Sequence, residues 1–367
     1  MTTCSSTQLD ISRSEALYAR SVKSNATRFP VIDAFKAIAS QLIVLHHLAA
    51  YGPLSDAVQQ AAPGLISWLY DYARMAVQVF FVIGGYLAAR AIFSSGRNSG
   101  SLATALFNRY LRIVVPFLAA LIFSIVCAMA ARHWMADDFI PDAPTWSQLF
   151  AHVLLLQGVL DFDALLAGAW FIAIDFQLFM LMVVIVWLSG KAAYSRNLIS
   201  ALITLMVAAS LLWFNRDPGL DDWALYFFGA YGMGVVAYMA GMREKSGKFW
   251  FWLIVSLAVV ALIIDFRARI MIALAVTITL FLTIDLKRSA QSGLSLLRYL
   301  GRISYALFLV HFSILLLVNA AFAGLGFSSP LAGGIGMLAT WAVSLVVADL
   351  FYRRIEKPAA AIFRTAS

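Results

Sequence analysis

The sequence predicts an all-α polytopic membrane protein with about ten transmembrane helices, on three observations. Of 367 residues, 62% are hydrophobic and 13% charged, where a soluble domain carries roughly 25% charged residues. Mean hydropathy is +0.84, more apolar character than a soluble core needs, so the excess must face lipid. The 27 Lys and Arg against 19 Asp and Glu give a formal charge of +8. These basic residues lie between apolar segments rather than along one soluble face. A soluble enzyme, a disordered chain, a coiled coil and a disulfide scaffold are thereby excluded. No nucleic-acid-binding motif is present, so nucleic acid is not an expected partner.

The spans follow in order, each near the ~20 apolar residues that cross a bilayer. They are approximately 31–52, 66–93, 111–131, 165–189, 197–214, 223–242, 249–265, 269–286, 303–324 and 329–352. The tail 1–30 is polar and lacks the short apolar core of a cleavable signal, so the first span is expected to be retained. The seventh and eighth spans are expected to form a tight hairpin. Residues 146–162 are apolar but short, and are expected to be re-entrant or interfacial.

Charge orients this arrangement. With the N-terminus cytoplasmic and ten spans, 20 of the 27 basic residues fall in inner loops. Only Arg132, Arg216, Arg267 and Arg269 fall in outer ones, as the positive-inside rule requires. A full span at 146–162 would move every later basic loop to the wrong side. The expected organisation is a cytoplasmic tail 1–30, a membrane domain 31–356 and a cytoplasmic tail 357–367. Cys4 lies in the tail and Cys127 in an apolar run, and no Cys/His cluster has metal-ligand spacing, so neither a disulfide nor a metal site is expected.

Ionisable residues at membrane depth are costly, so each is a functional candidate. The first span carries Asp33, Lys36, His46 and His47. Lys36 and His47 are 11 residues apart and share a helix face, roughly 16 Å apart along the axis. A cation at the entrance with an imidazole beyond it suits an anionic ligand arriving from the cytoplasm. The second span carries Arg74 and the pair Gly84 and Gly85, which permits close approach of a backbone or a ligand. Arg109 and Arg112 share one face of the third span, and paired guanidinium forks suit phosphate. Asp175 in the fourth span needs a cation, a donor or a proton. His311 follows Ser304 and Tyr305 in the ninth span, and Glu356 ends the last one.

In this order the segments resemble the acyltransferase-3 family of membrane O-acyltransferases. Ile32-Asp33-Ala34-Phe35-Lys36 followed by His47 is similar to the family's I-D-x-x-R…H, with its R-x10-H spacing. Phe80-Phe81-Val82-Ile83-Gly84-Gly85-Tyr86-Leu87 resembles F-F-x-x-S-G-[FY]-L, and Arg109 with Arg112 resembles R-x-x-R. Trp170-Phe171-Ile172 followed by Asp175 resembles W-[FS]-L-x-x-E. Gly301-Arg302-Ile303-Ser304-Tyr305 followed by Phe308 and His311 resembles the ninth-span motif, and Glu356-Lys357-Pro358 the terminal E-K-P. Three departures stand out: Lys36 for an arginine, Gly84 for a serine and Asp175 for a glutamate.

The resemblance implies transfer of an acyl group, usually acetyl, from cytoplasmic acyl-CoA to a hydroxyl of an extracytoplasmic glycan or lipid-linked sugar. It places the protein in a bacterial inner membrane, with acyl-CoA as co-substrate rather than a resident cofactor. On this reading Lys36, Arg109 and Arg112 bind the donor phosphates. His47 is the general base and Asp175 orients it. Arg74, Trp170, Ser304, Tyr305 and His311 are candidate substrate-binding groups. The alternative is a glycan or lipid transporter or flippase. The donor discriminates, since a transporter would neither bind acyl-CoA nor release CoA.

Overall fold

The computed structural model describes residues 30–94, 102–189, 196–242, 245–283 and 295–362, all helical or loop. The expected tail 1–30 lies outside them except for Pro30. In chain order the helices are α1 (Pro30–Ala50), α2 (Pro53–Gln59), α3 (Pro63–Tyr72), α4 (Val77–Ser94), α5 (Leu102–Ala131), α6 (Trp146–Leu154) and α7 (Ala169–Leu188). They continue as α8 (Arg196–Leu212), α9 (Ala224–Ala240), α10 (Lys245–Ile264), α11 (Ala268–Thr283), α12 (Ser295–Gly324), α13 (Pro330–Phe351) and α14 (Lys357–Ile362). Eight helical stretches are long and apolar enough to cross a membrane, and α9 and α11 are shorter apolar helices. Together they match the ten expected spans.

Local chemistry sets the breaks. Pro30 opens α1, where its missing N–H costs nothing, and Asp33 sits in the first turn, where the helix dipole favours an anion. Between α1 and α2 the chain turns at Gly52 with φ 80°, against the Asn319 side chain. Asn319 accepts from the Leu54 N–H at 3.0 Å. The second span is a bent stretch: α3 passes into α4 through a 3₁₀ turn at Ala73–Ala76 that contains Arg74. At the far end α13 continues through a π-helical turn, Tyr352–Glu356, into α14. The tail expected from Lys357 thus begins as helix. Pro358 would clash with a carbonyl four residues back in a regular helix, and the wider turn relieves this.

Side-chain pairs reveal the relative directions. Asp33 meets Gly301 and His47 meets His311, so α1 and α12 run parallel. Phe81 packs on Phe227 and Tyr86 on Tyr238, so α4 and α9 run parallel. By contrast, Arg109 meets Asp175 while Ser124 meets Leu165, so α5 and α7 are antiparallel. This parity requires an odd number of crossings between α4 and α9, which α5, α7 and α8 supply, and it fails if residues 146–162 also cross the membrane.

That segment is re-entrant. Thr145 and Gln148 form a capping box that starts α6. Nine residues extend only about 13 Å. The Val153 carbonyl accepts from the Tyr110 hydroxyl at 2.7 Å, and His152 packs on Phe117, half-way along α5. The tip therefore reaches well into the layer. Trp146, Phe150 and Leu154 repeat every four residues along α6 and are exposed, a stripe that suits lipid. The chain turns back at Leu155 in the left-handed region, φ 57°. Leu165 and Leu166 are buried in this return, so α7 begins at Ala169 rather than at 165. Their backbone finds partners without helix: the Leu165 N–H donates to His152 Nε2 and its carbonyl accepts from Ser124.

Candidate active site

Among the described residues, most of the candidate groups gather into three polar clusters. The first joins α1 and α12, which make the most extensive helix pair. His47 Nδ1 and His311 Nε2 are 2.6 Å apart. Their ring planes differ by 4° with centroids 4.9 Å apart, about what two ring radii plus that bond require, so the imidazoles meet edge to edge. His311 Nδ1 lies 2.9 Å from the Leu307 carbonyl. A carbonyl only accepts, so that nitrogen carries a proton. In neutral His311 the Nε2 is then the acceptor, and His47 Nδ1 is the donor. His47 Nε2 is left with its lone pair. Both residues are buried.

His46, next in the chain, faces away from this pair: its Nδ1 contacts the Leu69 carbonyl at 3.3 Å, on α3. Arg74 lies within electrostatic range of His46 and is exposed in the 3₁₀ turn.

The second cluster joins α5, α7, α9 and α4. Arg109 donates to Asp175 Oδ2 at 2.6 Å. Asp175 is thus engaged by Arg109, and His47 by His311. The orienting contact expected between Asp175 and His47 is made by His311 instead, because α12 and not α7 packs along α1. Arg109 correspondingly leaves the expected phosphate rim and lies in an interior ion pair, over the Phe179 ring at 5.4 Å. Tyr231 is fully buried with Asp175 and Arg109 in electrostatic range, and its hydroxyl has no hydrogen-bond partner among the described residues. The same holds for Arg109 Nε. A Cβ on Gly84 would lie 3.1 Å from Asp175 Oδ1. Gly85 meets a different demand: a Cβ there would overlap the Tyr231 carbonyl, so glycine lets α4 and α9 touch.

The third cluster lies near the end of the bundle that holds Pro30 and Ile362. Lys36 is within electrostatic range of Asp33, Arg112, Arg109 and Glu356. Glu356 Oε2 is buried without a hydrogen-bond partner among the described residues. Arg112 is exposed and Arg109, one turn earlier, points inward. The two residues of one motif therefore serve different clusters.

The remaining candidates are dispersed. The Ser304 hydroxyl donates to the Gly301 carbonyl at 3.0 Å, and Tyr305 donates to the Ile113 carbonyl at 3.0 Å. Both hydroxyls are thereby engaged by backbone. Trp170 is 37% exposed and packs on Phe171 and Phe227. Phe171 and Phe308 are in contact, and Phe308 reaches His311, so an aromatic wall links the histidine pair to the turn above Asp175. Tyr231 was not singled out from sequence. It lies in a span without charge, where a tyrosine carries no signal that separates it from packing residues.

Among known proteins, a family model described as an acyltransferase domain, that of the acyltransferase-3 family, matches residues 29–349, nearly the whole chain. No curated protein and no solved structure matches the chain. The matched region contains the first two clusters, all of the third but Glu356, and every helix from α1 to α12, and the chain belongs to the acyltransferase-3 family of membrane acyltransferases.

Proposed function

We propose that the protein moves an acyl group, acetyl in the simplest case, from cytoplasmic acyl-CoA to a hydroxyl of an extracytoplasmic glycan or lipid-linked sugar in a bacterial inner membrane. The observation that carries this reading is the histidine pair. His47 Nε2 is a buried, neutral base whose other nitrogen is held in place by His311. In the reaction the acceptor hydroxyl attacks the thioester carbonyl while His47 Nε2 takes its proton. The tetrahedral intermediate collapses, the C–S bond breaks, and the imidazolium returns the proton to the leaving thiolate. The products are the O-acyl ester and free CoA. The orienting role first assigned to Asp175 falls to His311, as the third member of a triad orients its base.

The donor's direction follows from charge. The 20 basic residues of the expected inner loops put both termini in the cytoplasm. Lys36 and Arg112 then lie near the cytoplasmic face, where CoA phosphates would dock. From Lys36 to His47 is 11 residues, roughly 16 Å, a span that an extended pantetheine arm can reach. The test is free CoA release by purified protein given acetyl-CoA and candidate acceptors, with surface glycans compared by mass spectrometry with and without the gene. A new acyl mass on a glycan is the expected result. Lys36→Ala and Arg112→Ala should each weaken acetyl-CoA binding several-fold; unchanged affinity in both would overturn the phosphate assignment.

A further inference from the structure

One turn beyond the histidine pair, α1 ends in a tyrosine. Tyr51 follows His47 by four residues, roughly 6 Å along the helix axis. Its ring turns into the bundle. Its centroid lies 5.6 Å from that of His47, 5.6 Å from Phe139 and 5.5 Å from Phe312, the last edge-on. A tyrosine of the interfacial aromatic belt would present its ring to lipid instead. Tyr51 is partly exposed and His47 keeps 8% of its surface accessible, so both rings border open space. Among the described residues no group hydrogen-bonds the Tyr51 hydroxyl, and it is not sealed from solvent.

The turn that carries Tyr51 is fixed from α12. Asn319 is fully buried there. Its Nδ2 donates to the Tyr51 carbonyl at 3.4 Å, and its Oδ1 accepts from the Leu54 N–H at 3.0 Å. Asn319 follows His311 by eight residues in the same helix. One helix therefore holds both the catalytic base and the tyrosine beyond it, which sets the distance between them. Tyr70 approaches from α3. It lies within electrostatic range of Tyr51, its ring is 5.8 Å from that of His46, and it is 48% exposed.

Position and chemistry select the ligand. With both termini cytoplasmic, Lys36 precedes His47 on the donor side, and Tyr51 follows it at the outer end of α1, where the acceptor arrives. A phenol hydroxyl both donates and accepts, as a sugar hydroxyl does, and its ring offers an apolar face to the sugar's C–H groups. Neither tyrosine is charged at neutral pH, which suits a neutral polyol. We propose that Tyr51, together with Tyr70, binds the acceptor sugar, the Tyr51 hydroxyl holding a hydroxyl adjacent to the one that His47 deprotonates. This rests on the acyl-transfer reading of the histidine pair.

The test is steady-state kinetics on the purified full chain in detergent. The donor is acetyl-CoA, and the acceptor is surface glycan isolated from cells lacking the gene. Tyr51→Phe keeps the packed ring and removes one hydroxyl. It should raise the KM for glycan about 3- to 10-fold, the worth of one hydrogen bond, with the KM for acetyl-CoA at its wild-type value. Tyr70→Phe should raise the glycan KM alone as well, and an unchanged value removes Tyr70 from the site. An unchanged glycan KM in Tyr51→Phe overturns the acceptor site while the acyl-transfer reading stands. An equal rise for both substrates also overturns it, since a loosened fold gives that result. If the wild-type protein transfers acetyl to no glycan, both readings fall.

Discussion

His47 takes its tautomer from one neighbour. The Leu307 carbonyl sets the proton on His311 Nδ1, which makes His311 Nε2 an acceptor and directs the His47 lone pair to Nε2. Replacing His47 with alanine should lower transfer by ~10²-fold or more, the usual worth of a positioned base. Wild-type turnover in that variant would refute the base assignment. His311→Phe keeps a buried ring but removes the acceptor. It should reduce kcat on the order of 10²-fold while leaving the KM for donor near its wild-type value. Steady-state kinetics on the two substrates would separate these outcomes. Neither ring is identified as one of a pair by sequence, since the partners are 264 residues apart. The R-x10-H spacing pointed to His47 as a resembled base and to nothing about its orientation.

Helices bring the polar groups together in ways that spacing leaves open. Arg109 and Arg112 share a helix face by count, yet one joins Asp175 across to α7 while the other stays at the rim. Truncating either partner of the interior pair leaves the other charge unmatched. Arg109→Ala should therefore lower stability by about 3 kcal/mol. The double change Arg109→Leu with Asp175→Leu should recover most of that loss. Thermal unfolding in detergent compares the two, and an additive loss would refute the pairing energy.

The re-entrant loop makes a pH prediction at the same scale. Burial of His152 pushes its pKa below the ordinary 6.5, against the opposing pull of the Gln148 carbonyl. The open loop therefore binds a proton more readily than the closed one. The contribution of His152 to closure is whole above pH 6.5 and declines as pH falls below it. Protonation at Nε2 also removes the acceptor for the Leu165 N–H. Hydrogen exchange over residues 155–168 should quicken on acidification in the wild type and be fast at every pH in His152→Phe. Exchange that is insensitive to acidification in the wild type would show that His152 does not latch the loop.

For the whole molecule, parity of helix direction and asymmetry of charge are separate observations with the same consequence. Parallel packing of α1 with α12 and of α4 with α9 excludes a crossing at 146–162. In the proposed orientation, with both termini cytoplasmic, the basic residues gather on the inner face. In a background of Cys4→Ser and Cys127→Ser, Asp138→Cys should react with a membrane-impermeant maleimide on intact cells. Ser367→Cys should react only after permeabilisation. The reverse pattern would invert the protein and with it the side from which the donor enters.

Composition and periodicity by themselves determined an all-helical membrane fold and the places of its apolar helices, because lipid imposes one length and one polarity on every spanning segment. The resemblance carried the reaction class. Which polar residues meet was decided only by tertiary packing. Asp175 pairs with Arg109, His47 pairs with His311, and the Tyr231 ring packs close against Gly84. These contacts join residues from distant helices, and hydrophobic periodicity specifies the buried face of a helix without specifying the helix that covers it.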